Sequence, residues 1–142
     1  MESEVQRKRL HNVTLLDQRP RSDQSNFLNA CDVSMVSLLP GMTGAGVPSR
    51  LYNTMAAGKP VIAITGPDSE VSLVVQEEQI GWVVPPDQPE KLAEVIREAK
   101  AHPDALFLMG QRARAVAEAK YSPDRIINTY SELIRDICVR SQ

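Results

Sequence analysis

"GAGVPSRLYNTMAAGKPVIA" spans residues 44–63, and its order decides the fold: a glycine-rich turn, a short helix, a second glycine turn, then an apolar strand. Ser49 predicts the N-cap of a helix reaching about Ala57, and Gly58 predicts its stop. "PVIAIT" (Pro60 to Thr65) is continuously apolar, as a strand buried on both faces of a parallel sheet must be.

The flanking sequence repeats the alternation. Upstream, "DVSMVSLL" (Asp32 to Leu39) predicts another buried strand, stopped by Pro40 and Gly41. "SNFLNAC" (Ser25 to Cys31) predicts a short helix capped by Ser25, and "NVTLL" (Asn12 to Leu16) a strand running into the polar stretch "DQRPRSDQS". Downstream, "SEVSLVVQEE" (Ser69 to Glu78) predicts a capped helix and "GWVVP" (Gly81 to Pro85) a short outer strand. After Pro89, Leu92, Val95, Ile96 and Ala99 recur at helical spacing until His102-Pro103. Leu106, Met109, Ala113, Val116 and Ala117 mark a second helix. Ser122-Pro123-Asp124 then opens a third, carrying Ile126, Ile127, Tyr130, Leu133, Ile134 and Ile137. The sum is an α/β fold: a parallel sheet with right-handed crossovers, helices on both faces, and C-terminal helices.

At 142 residues the chain has the length of one domain, and its 42% hydrophobic and 24% charged composition is that of a globular protein. A net charge of −2 supplies no basic footprint for nucleic acid. Cys31 and Cys138 lie far apart without neighbours at metal-ligand spacing, so they read as reduced packing residues. No stretch reads as a signal peptide or membrane span, which predicts a cytoplasmic protein without a transmembrane segment.

In an open parallel sheet, ligands bind where strands run into helix N-termini, because free amides and the helix dipole favour negative charge there. Gly41, Gly44 and Gly46 would let backbone approach a ligand, and Ser49 and Arg50 open the next helix, where Arg50 can fork onto phosphate oxygens. A purely structural reading stands beside this one, in which the glycines make a tight turn and Arg50 is a solvated surface residue. The stretch is no Walker loop, since no "GK[ST]" follows the glycines, and "GMTGAG" does not directly open a helix as a dinucleotide fingerprint does. Gly58, Lys59 and Pro60 have a structural reading as helix stop, turn and strand start. Glu70 can reach a ligand hydroxyl, although a first-turn glutamate is already favoured by the helix dipole. His11 and His102 have no ligand or catalytic company, and no Asp-x-Asp pair exists to hold a divalent ion, so no metal is expected.

"ACDVSMVSL", "GVPSRLY", "MAAGKPVIA" and "GWVVPPDQPEKLAEVI" occur in the order that resembles the C-terminal half of GT-B glycosyltransferases, specifically the retaining family 4 (group 1) type that builds bacterial surface polysaccharides. The resemblance runs from "NVTLL" to the last helix. It implies a partial doubly wound, Rossmann-like sheet and a nucleotide diphosphate-sugar donor site, with no cofactor beyond that substrate. Gly44, Ala45, Gly46, Val47, Pro48, Ser49 and Arg50 would face the donor's diphosphate and sugar. Asn53, which precedes the "xMA" element, would face the ribose, with Glu70 as a further contact. Family members commonly carry two glutamates eight residues apart, where this sequence has Ala45 and Asn53, so the ribose contact is the weaker one of a neutral amide.

The resemblance also implies that an N-terminal acceptor domain, and one or two strand–helix units between "NVTLL" and "DVSMVSL" in sheet order, are missing. The expectation is therefore a truncated donor-binding domain over residues 1–142 that does not turn over alone. Its exposed sheet edge would pair with a second copy or with a complementing N-terminal half. The rival reading is a noncatalytic interaction module that kept the fold and lost the reaction.

Overall fold

The computed structural model describes residues 2–38 and 46–140. The elements in chain order are α1 (Glu2–Arg7), a single 3-10 turn (Arg21–Asp23), α2 (Gln24–Asn29), β1 (Ser34–Ser37) and α3 (Ser49–Ala56). There follow β2 (Val61–Ile64), α4 (Glu70–Glu77), β3 (Gly81–Val84), α5 (Pro89–Ala101), α6 (Pro103–Tyr121) and α7 (Pro123–Arg140). The strands form one open parallel sheet in the order β1-β2-β3, with Val36 level with Ala63 and Ala63 level with Val83.

The alternation of β2 sorts the core into two layers. Val61 and Ala63 point to one face, where Leu51 and Met55 of α3, Val71 and Val75 of α4, and Ala113 and Ala117 of α6 close over them. Ile62 points to the other, where Val84 of β3 and Val95 of α5 pack with it, Trp82 and Leu92 beside them. Each such side chain, removed from water, contributes about 1.5–3 kcal/mol. The expected α/β architecture with helices on both faces and C-terminal helices is the one observed.

Helix ends follow local chemistry in some places and depart from it in others. Gly58 takes φ +66, its N–H donates to the Met55 carbonyl at 2.9 Å, and the Lys59 N–H reaches Thr54 at 3.1 Å. That pair is a Schellman stop, as the glycine predicts. Ser49, expected as a cap, is instead the first residue of α3: Pro48 holds the cap position and contributes no side-chain hydrogen bond. Ser25 likewise lies inside α2, whose cap position is held by Asp23, because the preceding 3-10 turn starts the coil earlier than the serine.

The largest correction concerns "NVTLL". Residues 13–20 form no strand, and Val13, Leu15 and Leu16 are exposed. A β-branched apolar run becomes a strand only where a neighbour supplies the other half of the ladder. Among the described residues the outer edge of β1 carries no strand, so the run has nothing to pair with.

Two glycines mark close approaches that the sequence pattern does not announce. A Cβ on Gly81 would lie 1.8 Å from the Val61 carbonyl oxygen, and one on Gly110 of α6 would lie 2.3 Å from the carbonyl oxygen of Gly58. Arg114, one turn further along α6, donates from Nη1 to the Ala56 carbonyl and from Nε to Glu118 at 2.6 Å, closing the C-terminal end of α3. Gly110→Ala gains up to about 1 kcal/mol of helix propensity. It must also push backbone from backbone, at a cost of about 1–3 kcal/mol. The expected net result is a lower urea midpoint at unchanged m-value; a midpoint equal to or above that of the parent chain contradicts the close contact.

Candidate functional site

All three strands point the same way, so the crossover helices α3 and α4 begin at one edge of the sheet, the carboxyl edge. There the Leu38 N–H donates to Ile64 and the Thr65 N–H to Val84, both at 3.0 Å, carrying the ladder into the loops.

The two helix starts differ. At α4, Ser69 is buried, and its Oγ accepts the Ser72 N–H at 3.1 Å and the Thr65 hydroxyl at 2.9 Å. The predicted cap is present, and its hydroxyl ties the helix to the end of β2. At α3, Pro48 (φ −65, ψ 134) has no side-chain acceptor to offer. The Leu51 N–H turns back to the Pro48 carbonyl at 2.9 Å, while the amides of Ser49 and Arg50 receive no cap from the described residues. An uncapped helix start presents donors and positive dipole to whatever lies in front of it.

Gly46 takes φ +105 with open space around it, so glycine serves conformation there and not packing. Val47 is half-buried and anchors the loop on the core. Gly44 and Ala45, with Gly41, lie outside the described residues. Arg50 is exposed and makes no hydrogen bond or ion pair with the described residues. Among the described residues its guanidinium therefore has no partner at the start of α3. Leu51, Thr54 and Met55 fill the buried face of the same helix.

Asn53 lies three residues beyond Arg50 on the exposed side. It lines a groove of about 540 Å³ with Arg21, Gln24, Ser25 and Asn29, running down to Arg114. The polar stretch "DQRPRSDQS" is the sequence trace of one wall. Nothing local to it says that it lies against α3, so these residues were missed.

Glu70 is exposed in the first turn of α4 and makes no hydrogen bond or ion pair with Arg50 or Asn53. Its charge reaches the aromatic pair formed by Tyr52 of α3 and Tyr121 of α6, whose ring centroids are 4.7 Å apart. Burial pushes both phenols above the ordinary tyrosine value. Tyr121 and then Glu70 add to the rise at Tyr52, and Glu78 adds to it at Tyr121. The structure thus brings Arg50 and Asn53 onto one helix face and sets Glu70 near Tyr52, on the neighbouring helix.

A family model described as "Glycosyl transferases group 1" matches residues 1–102. The chain is 36% identical over 123 residues to "Probable glycosyltransferase WbjE" of Pseudomonas aeruginosa, covering 87% of this chain and 30% of that protein. It is 28% identical over 108 residues to an exopolysaccharide phosphotransferase of Streptomyces coelicolor, covering 74% of this chain and 11% of the other. Among solved structures it resembles sucrose-phosphate synthase from Thermosynechococcus elongatus with a TM-score of 0.79 and 25% identity, over 98% of this chain and 34% of that one. The chain spans less than a third of the length of these curated relatives.

Two outcomes follow from the geometry. Ser69→Ala removes the acceptor of both the α4 cap and the Thr65 hydroxyl, and is expected to cost about 1–2 kcal/mol in chemical denaturation; an unchanged midpoint argues against a structural cap. A phenol whose folded pKa is raised stabilises the fold below its unfolded pKa, near 10, and loses that contribution as pH climbs through the folded value. Stability should therefore fall above about pH 10, and Tyr52→Phe should flatten that limb.

Proposed function

The chain belongs to the group 1 glycosyl transferases, and on that footing we propose that the carboxyl edge of its sheet is the donor half of a sugar-transfer site, holding a nucleotide diphosphate-sugar. The observation that carries the reading is the start of α3, which takes no cap from the described residues and carries in its first turn Arg50, whose guanidinium has no partner among them. An anion placed there meets amide donors, the positive end of a dipole and a guanidinium fork together.

The chemistry follows from where charge grows. As the bond between the sugar and its diphosphate breaks, negative charge builds on the departing oxygen. Arg50 and the α3 amides stabilise that charge without reorganising. Gly46 gives the loop its turn in front of the helix, and Asn53 offers an amide to a ribose hydroxyl from the same face. Glu70 faces the edge from α4, where it takes a hydroxyl of the donor. The transfer retains the anomeric configuration in this reading.

Turnover needs an acceptor clamped against the donor with water excluded, which one face of one sheet does not provide. We assign the acceptor side to chain beyond these residues or to a partner. The outer edge of β1 is the pairing surface for it.

The test is calorimetric titration of the chain with uridine, guanosine and adenosine diphosphates, free and as sugar conjugates. Saturable binding of one base is expected. Arg50→Ala should weaken it by about 1.5–3 kcal/mol, the span for hydrogen bonds to charged groups. That loss is roughly ten- to hundred-and-fifty-fold in Kd. A folded chain that binds none of them, or binds equally well without Arg50, overturns the donor reading in favour of a noncatalytic interaction module.

A further inference from the structure

The amino edge of the sheet, opposite the proposed donor site, carries a hollow of its own. Asp32 and Val33 lead into β1 there, Lys59 and Pro60 lead into β2, and a cleft of about 890 Å³ opens beside them between α5 and α6. One side of α6 forms a wall that changes character along its length. Leu106 and Phe107 come first, with Phe107 66% exposed; Arg114, two turns beyond Phe107, and Glu118 follow. Ile96 of α5, 44% exposed, completes the apolar end. At Gly58 and Arg114 the cleft meets the polar groove between α2 and α3, since these two residues line both hollows.

We propose that this cleft binds an amphiphile with one alkyl chain and an anionic head, the chain lying against Ile96 and Phe107 and the head at the junction beside Lys59. Shape and charge select the occupant. The cleft has the size that encloses a small ligand, and being concave it takes a single chain and not a bilayer surface. A bare anion or a sugar would leave Ile96, Leu106 and Phe107 in water, where burying each one is favourable. Four cations, Arg21, Lys59, Lys100 and Arg114, surround the two hollows against two carboxylates, Asp32 and Glu118, in a chain whose net charge is −2. Glu118 already accepts from Arg114 at 2.6 Å. Lys59 donates to the Asn29 carbonyl at 3.2 Å, and neither it nor Arg21 has a carboxylate partner among the described residues. The junction therefore offers an ammonium and a guanidinium to an anion whose tail the apolar end removes from water.

Calorimetric titration of the full 142-residue chain with dodecyl phosphate, kept below its micelle-forming concentration, tests this. Saturation at one molecule per chain is expected, with no saturation by inorganic phosphate or by dodecyltrimethylammonium. Phe107→Glu should weaken binding about tenfold or more with the circular dichroism unchanged, since Phe107 is exposed in the free chain. Lys59→Glu should weaken it about fivefold or more. Failure of dodecyl phosphate to saturate overturns the proposal. So does equal affinity for inorganic phosphate or for the cationic amphiphile, and so does binding that survives Phe107→Glu, which lies elsewhere on the chain. A dimer in sedimentation that Phe107→Glu dissolves also overturns it, because the occupant is then a second copy.

Discussion

β2 is the constraint on which the rest depends. Its four residues exchange backbone hydrogen bonds with β1 on one side and β3 on the other while both faces are closed over by side chains. Val61, Ile62 and Ala63 are fully buried, so the ladder bonds there must be made, and the desolvation of an unmade one would cost about 1–3 kcal/mol. Gly81 lies against Val61 because β3 must come that close, and the position leaves no room for a side chain. A strand so enclosed fixes the direction of its two neighbours. That direction in turn decides at which edge α3 and α4 begin.

The candidate site is a consequence of this geometry more than of any single residue. Two crossover helices open on one edge. One is closed by Ser69, while the other begins on an extended proline and takes no cap from the described residues. The first start is spent on structure, with a cap bonded back to Thr65 at the end of β2. The second makes no such bond among the described residues, and Arg50 stands beside it. In the donor-site reading we propose, that asymmetry has a meaning, since sugar transfer from a diphosphate needs a place where negative charge is stabilised as it forms.

α6 holds the short elements in position. Gly110 lets it reach the backbone at Gly58, Arg114 bonds the end of α3, and Arg112 donates to the Gln79 carbonyl at 2.9 Å after α4. Lys120 donates to the Glu78 carboxylate, and that hydrogen bond raises the lysine's pKa. Each exposed pair is worth little alone. Together they span the ends of two eight-residue helices that carry the site and are too short to persist on their own.

The sequence by itself determined the elements whose causes are local. "PVIAIT" reads as a doubly buried strand because it has no polar face, Gly58 as a helix stop because only glycine takes φ +66 cheaply, and Ser69 as a cap because its oxygen lies within reach of the amide three residues on. Arg50 beside a helix start was legible for the same reason, as was the order of segments that carries the family resemblance. Tertiary structure decided what needs a neighbour. "NVTLL" has the composition of a strand and lacks a ladder to join; Ser49 lost the cap position to Pro48; the groove between Arg21 and Asn53 exists only where α2 meets α3. Gly110 looks like an ordinary weak point in a helix until Gly58 is set against it. Periodicity and capping act over three or four residues and are written in the chain. Pairing and close approach act between segments tens of residues apart, and only the folded chain supplies the other half.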